Sequence, residues 1–249
     1  MCGICGCSDD SITHHEHKMA ATMHQHDHLN VIQIEQDLLA KNNQYARENR
    51  DYFLKERITA INLMSSPGSG KTTLLARTFT DLQQEMDMTV VVGDQQTDQD
   101  AQTLQSAGMH AVQINTGKVC HLDAHMVGHS MAHLSHKHQG VLFIENVGNL
   151  VCPALFDLGE AFRVVLLSVT EGDNKPLKYP DMFRKADLML LTKIDLLPYV
   201  KFDTNKAIEY AQRINPSLLS LSLSATTGAG LSEWYQWLKN ASNKIIHAH

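Results

Sequence analysis

Two patterns of apolar residues divide this chain. From Thr59 onward, short continuous apolar runs recur as TAINLMS, TVVVGD, HAVQI, GVLFIEN, RVVLLSV, ADLMLLT and LLSLSLS, separated by helix-length amphipathic segments. Runs rich in Val, Ile and Leu without strict alternation predict strands buried on both faces. Strands that alternate with helices predict right-handed βαβ crossovers, hence an α/β fold with a mostly parallel sheet and helices on both faces. Upstream, residues 30–57 set Ile34, Leu38, Tyr45 and Tyr52 at roughly helical spacing among charges, which predicts one or two amphipathic helices. Residues 1–29 hold few large apolar side chains but Cys2, Cys5, Cys7 and six histidines, so they read as a flexible, disordered tail. The expected organisation is a tail at 1–29, a helical lead-in at 30–57 and the main domain at 58–249.

Composition narrows the function classes. With 249 residues, 43% hydrophobic and 19% charged, the chain can build one large domain with an appendage. A net charge of −6 offers no basic field for a phosphate backbone, so nucleic acid and anionic membrane are not expected partners. No run of about 18 apolar residues and no signal peptide is visible, and the expected location is the cytoplasm. Thiols stay reduced there, so the five cysteines read as metal ligands or reactive groups before they read as disulfides.

The first apolar run leads straight into SSPGSGKTT, residues 65–73. Glycines in such a loop let backbone N–H groups turn inward around phosphates, a lysine reaches the outer phosphates, and a Ser/Thr hydroxyl meets Mg²⁺. Gly68, Ser69, Gly70, Lys71, Thr72 and Thr73 fit a P-loop NTPase, although Ser65 stands where the strict motif has glycine. At the ends of two later runs lie Thr192-Lys193-Ile194-Asp195 and Ser224-Ala225-Thr226. A carboxylate at Asp195 can accept both N–H groups of the guanine edge, and the Lys193 stem can pack over the base, so GTP and GDP are the expected nucleotides. Thr192 replaces the usual Asn of this motif.

Mg²⁺ takes oxygen ligands, and beyond Thr72 the strand-end carboxylates Asp94 and Glu145 are the candidates. Gly148 would bring a backbone amide to the γ-phosphate. Lys71, Asp94 and Glu145 form the expected catalytic set. No evident catalytic Gln or Arg accompanies them, so intrinsic hydrolysis should be slow. Cys120, His121 and Cys152 offer soft ligands for Ni²⁺ or Zn²⁺, or are ordinary buried residues. Cys2, Cys5 and Cys7 place three thiolates within one tight turn, a second candidate metal site, or are accidental cysteines of a disordered leader. His121, His125, His129, His133 and His136 recur at helical spacing; this stripe reads first as a solvated face and second as a metal-buffering surface.

From about Ala60 to Leu238 the sequence resembles the HypB family of hydrogenase-maturation, nickel-inserting GTPases, relatives of the urease accessory GTPases. The matching stretches are SSPGSGKTTLL, GDQQTDQDA, TGKVCHLDAHMV, LFIENVGNLVCP, SVTEGDNKPLKYP, KIDLLP and SATTGAGL. MCGICGC resembles the extra N-terminal nickel site that some members carry. The resemblance implies a GTP-dependent homodimer, a metal site of Cys120, His121 and Cys152 near its interface, a small zinc-containing nickel chaperone as partner, and a hydrogenase large-subunit precursor as recipient. Three alternatives remain at this point: a nickel or zinc storage protein with a vestigial nucleotide site, an assembly ATPase of related architecture, and a urease-type accessory GTPase.

Overall fold

The computed structural model describes residues 20–134 and 140–246; Cys2, Cys5, Cys7 and His136 lie outside them. The chain divides into two compact units, Met1–Leu39 and Ala40–His249. In the first, the described residues are the opening turns of helix α1 (Ala20–Lys55). That helix is single, and it starts inside the segment expected to be a disordered tail. Ala20, Ala21, Met23, Gln25 and Leu29 have high helix propensity, so local preference favours the helix there. At its other end Arg57, with φ 56°, turns the chain into the sheet.

All seven apolar runs become strands: β1 (Ile58–Ser65), β2 (Met88–Asp94), β3 (His110–Asn115), β4 (Gly140–Glu145), β5 (Phe162–Ser168), β6 (Leu188–Thr192) and β7 (Leu219–Ser222). They form one sheet in the order β3-β2-β4-β1-β5-β6-β7. Every pair is parallel. The helices that follow α1 are α2 (Lys71–Leu82), α3 (Gln99–Ser106), α4 (Ala124–Ser130), α5 (Lys175–Lys178), α6 (Pro180–Arg184), α7 (Thr204–Ile214) and α8 (Leu231–Ile246).

Alternation along the strands explains why their sequences read as unbroken apolar runs. Ile61, Leu63, Val164, Leu166, Leu188 and Leu190 pack into one core with Leu74 and Leu75 of α2, Leu104 of α3 and Trp234 of α8. Their neighbours Met64, Val165, Leu167, Met189 and Leu191 point into a second core with Met182 and Phe183 of α6 and Ala207 and Ala211 of α7. Both faces are covered, so neither set of positions can be polar. Trp234 is fully buried, and its indole N–H donates to Thr78 Oγ1 at 2.9 Å. Burying about 150–250 Å² of indole at about 25 cal/mol/Å² contributes roughly 4–6 kcal/mol before entropy is counted.

Parallel pairing puts every strand's carboxyl end on one edge. In register, Leu63 of β1 and Val92 of β2 both pair with Glu145 of β4, so the residues after β1, β2 and β4 converge there. Open α/β sheets bind ligands at such an edge.

Candidate nucleotide and metal site

The loop between β1 and α2 turns through Gly68 and Gly70, whose φ values of 71° and 98° lie in the left-handed region that glycine enters without a Cβ penalty. This turn aims the first N–H groups of α2 inward, where the helix N-terminus favours an anion. Lys71 is buried, 8% exposed, and its Nζ donates to Ser65 Oγ at 2.9 Å. Ser65 in turn donates to the Ser66 carbonyl at 2.7 Å. The departure from the strict motif therefore has a role, since the Ser65 hydroxyl holds the lysine over its own loop. Burial lowers the Lys71 pKa, and the carboxylates of Glu145, Asp100, Glu171 and Asp94 oppose that shift.

A cavity of about 480 Å³ spreads over this loop, lined among others by Lys71, Thr72, Asp94, Asp100, Glu145 and Gly148. Thr72 Oγ1 donates to Glu145 Oε1 at 2.7 Å, while the buried Glu145 Oε2 has no hydrogen-bond partner. Burial raises the Glu145 pKa to about 7 against the opposing effects of Lys71 and the Thr72 hydroxyl. A buried carboxylate with an orphaned oxygen beside a threonine hydroxyl fits a hard divalent cation such as Mg²⁺. Asp94 lines the same cavity but is held locally: Oδ1 accepts from Gln95 N at 2.5 Å and Oδ2 from Thr97 Oγ1 at 2.6 Å. Gly148 packs its backbone on the loop, because a Cβ there would stand 3.0 Å from Pro67 Cα. Sequence reading missed Asp100, although it lies within the acidic GDQQTDQDA stretch.

A second hollow of about 290 Å³ contains Lys193, Asp195, Ser224, Ala225 and Thr226. Lys193 takes φ 59° and its Nζ donates to the Gly68 carbonyl at 2.7 Å, so its stem crosses the phosphate loop. Thr192, buried at 3% exposure, donates to the Ser69 carbonyl at 2.7 Å. Its single hydrogen bond thus tethers the loop. The fully buried Ser224 accepts from Thr227 N at 3.1 Å through its hydroxyl and shapes the turn in which Ala225 and Thr226 sit.

Cys120, His121 and Cys152 also come together, with their ligand atoms all within 4.8 Å of one another. The two sulfurs are 2.7 Å apart, and His121 Nδ1 is 4.0 Å from Cys120 Sγ. Both cysteines are thiols rather than halves of a disulfide. An ion with metal–sulfur bonds of about 2.3 Å would spread the sulfurs to roughly 3.8 Å in tetrahedral geometry, a small opening. His121 stacks on Phe156 with centroids 3.8 Å apart, and burial lowers its pKa against the pull of Asp123, which favours the neutral imidazole that metals bind. Two thiolates and an imidazole suit Zn²⁺ or Ni²⁺ and leave a position open.

Several residues that sequence reading passed over tie the two centres together. Asn146, directly after Glu145, accepts from Leu122 N at 3.1 Å and so grips the peptide that follows His121. Asn149 donates to the Cys120 carbonyl at 3.5 Å and accepts from Val151 N at 2.8 Å. Asn146 also donates to Asn62 Oδ1 at 3.3 Å, and Asn62 donates to Glu160 at 3.2 Å. Glu160 pairs with Arg163 at 2.6 Å, and Arg163 donates to the carbonyls of Ala154 at 3.4 Å and Phe156 at 3.2 Å, beside Cys152. An Asn inside the apolar run TAINLMS was the available signal, because a buried polar group needs a partner. From the Asp94 side, Gln95 Nε2 and Thr116 Oγ1 both donate to the Val119 carbonyl, at 3.4 Å and 2.7 Å.

The histidine stripe is a solvated face at the exposed His125, His129 and His133, but not one continuous helix. Helix α4 holds only His125 and His129; His121 precedes the N-cap Asp123, and His133 sits in a 3-10 turn. Asp123 ends the stripe's continuity by accepting Met126 N at 2.7 Å, which starts the helix after His121.

Fold and site together define a P-loop nucleotide-binding protein that also brings two cysteines and a histidine together. The CobW/HypB/UreG nucleotide-binding domain matches residues 59–221. "Hydrogenase maturation factor HypB" of Rhizobium leguminosarum bv. viciae is 55% identical over 219 residues, 88% of this chain and 73% of the relative. Its counterpart in Escherichia coli strain K12 is 51% identical over 209 residues, 84% and 72% of the two chains. A crystal structure of HypB from Helicobacter pylori in complex with nickel aligns with TM-score 0.78 at 39% identity, over 82% of this chain and 96% of that one. The chain belongs to the HypB family.

Proposed function

We propose that this chain is a GTP-hydrolysing metallochaperone that binds nickel, and also zinc, and delivers nickel during maturation of [NiFe]-hydrogenase, with metal release coupled to the GTPase cycle. One observation carries the reading. The segment from Glu145 to Cys152 begins with the carboxylate beside Thr72 and ends with a thiol of the cysteine–histidine cluster, and between them Asn146 and Asn149 grip the peptides on either side of His121. A displacement of this segment moves both centres together.

In this reading Lys71 and the N–H groups of the loop hold the phosphates, and Asp195 selects guanine. Thr72, Asp94 and Glu145 would hold Mg²⁺, which when bound would offset the negative charge of the phosphates. Water attacks the γ-phosphate, giving GDP and inorganic phosphate, and the Gly148 amide loses its contact. The cargo leaves because its ligands shift. Exposed Val119, Val151 and Leu155 surround the cluster and support a homodimer contact there. A small zinc-containing nickel chaperone and a hydrogenase large-subunit precursor are the proposed partners, the cytoplasm the proposed location, and the thiols of Cys2, Cys5 and Cys7 a proposed first capture site. Among the described residues, no helix is long and apolar enough to cross a membrane.

The test is a Ni²⁺ titration of the full chain with GDP and with a non-hydrolysable GTP analogue, in wild type and Cys152→Ala, with bound metal assigned to the cluster by its thiolate charge-transfer absorption. Affinities that differ by about 5–150-fold between nucleotide states, with the difference abolished in Cys152→Ala, are expected. Equal wild-type affinities would overturn the coupling.

A further inference from the structure

The turn that follows β7 closes on itself. Ser224 N donates to the Ala229 carbonyl at 2.8 Å, Gly228 N to the Ser224 carbonyl at 2.9 Å and Thr227 N to Ser224 Oγ at 3.1 Å. Ala229 N reaches Thr227 Oγ1 at 3.4 Å. The consecutive N–H groups of Ala225 and Thr226 take no partner within this turn, and both residues line the hollow that also holds Asp195. Amide donors on that wall suit a carbonyl oxygen. Guanine carries one at its 6 position, whereas adenine places an amino donor there.

A side chain of α2 holds the turn from outside. Arg77 Nη1 donates to the Ala225 carbonyl at 3.3 Å. A Cβ at Gly228, whose φ is 88°, would stand 3.5 Å from Arg77 Nη2, so the guanidinium lies along the turn rather than meeting it at one atom. In a planar trans peptide the C=O and N–H point in opposite directions. The carbonyl that Arg77 grips shares its peptide unit with Thr226 N–H, so the grip sets the direction of that donor. The guanidinium is fixed in its turn. Its Nε donates to Asp81 Oδ2 at 2.8 Å, and Tyr235 OH of α8 donates to the same oxygen at 2.7 Å. Thr78 and Trp234, the neighbours of Arg77 and Tyr235, join the two helices by the buried bond described above. A planar fork of donors held on two edges is a rigid support.

We propose that Arg77, oriented by Asp81 and Tyr235, is a positioning residue for base selection: it aims Thr226 N–H at the 6-carbonyl of the base and so contributes to a preference for guanine over adenine nucleotides. This rests on the guanine reading of Asp195 and the Ser224–Thr226 turn. The two elements read different edges. Asp195 accepts from the ring N1–H and the 2-amino group, while the turn donates to the 6-carbonyl. Hypoxanthine keeps the carbonyl and N1–H but lacks the 2-amino group, so it separates the two contributions.

The test is the affinity of the full chain for GDP, inosine diphosphate and ADP with Mg²⁺, by competition against a fluorescent GDP. In Arg77→Ala, GDP and inosine diphosphate should weaken together by about tenfold while ADP holds its affinity. The GDP-over-ADP preference then falls about tenfold, and the GDP-over-inosine-diphosphate preference stays. Arg77→Lys, which keeps one donor, should recover part of the loss, and Tyr235→Phe should lower the GDP-over-ADP preference by about twofold to threefold. Equal losses for all three nucleotides, as a disturbed α2 would give, would overturn the proposal. So would a GDP-over-ADP preference in Arg77→Ala or Tyr235→Phe equal to that of wild type, or one in Arg77→Lys no better than in Arg77→Ala. A wild type that binds GDP and ADP alike would remove the guanine reading itself, and the proposal with it.

Discussion

The phosphate cradle and the thiolate cluster share the segment after β4, yet they are held in opposite ways. In the cradle, Lys71, Thr72, Ser69 and Glu145 are packed beneath the loop, and Thr192 and Lys193 pin its carbonyls from outside at 2.7 Å each. In the cluster, Cys120, His121 and Cys152 are half-exposed, on turns between regular elements. Their fixed points are backbone groups gripped by Asn146, Asn149 and Arg163. The difference is one of support: a site of buried, mutually bonded groups resists displacement, whereas one hung from a few hydrogen bonds is easier to move.

The largest test removes the cradle's cation. Lys71→Ala should lower GTP turnover by at least about 10²–10³-fold, since it deletes the charge opposite the transferring phosphate. Steady-state phosphate release measures it. Ni²⁺ affinity of the nucleotide-free chain should stay put, and a parallel fall would mean that the two centres are not separable.

A smaller effect should come from cutting the tie. Asn146→Leu strands Leu122 N and Asn62 Oδ1 and should cost about 1–3 kcal/mol of stability per unsatisfied group, measured by denaturant unfolding. It should also shrink the roughly 1–3 kcal/mol coupling between nucleotide state and Ni²⁺ affinity. Asn146→Asp keeps an acceptor for Leu122 N and should retain more of that coupling. Full coupling in Asn146→Leu would show that the asparagine is a structural prop alone.

The smallest concerns protons at Glu145. Its folded pKa of about 7 lies above the ordinary 4.5, so its contribution to stability is fully present below about 4.5 and is lost as pH rises through about 7. Without Mg²⁺ and nucleotide, the thermal midpoint of wild type should therefore decline across that window relative to Glu145→Gln, which cannot ionise. Mg²⁺ needs the carboxylate, so its affinity should rise with pH over the same interval. Parallel melting curves for the two proteins at every pH would remove Glu145 from this role.

Much of this was visible in the residues. The seven apolar runs became seven strands because a parallel sheet covered on both faces demands continuous apolar sequence. The lead-in helix was expected, but its start at Ala20 was not, since a mostly polar segment with good helix propensity leaves no periodic signature. The stripe of histidines suggested one helix from His121, and a capping aspartate two residues later overruled that period.

What the sequence alone determined is the phosphate loop, for its donors are consecutive and close their ring within a few bonds, so local geometry follows from residue order. It also determined the strand count and the Thr192–Asp195 and Ser224–Thr226 motifs, each contiguous. The tertiary structure decided which distant groups meet. Cys120 follows β3 and Cys152 follows β4, and those strands flank β2 in the sheet, so the cluster closes across the end of the strand that carries Asp94. Likewise Asn146 reaches Leu122, and Asn49 reaches the Ala124 carbonyl, only because strand order and helix packing bring them there. Those distances arise from burial of apolar faces far from the residues concerned, and no local spacing encodes them.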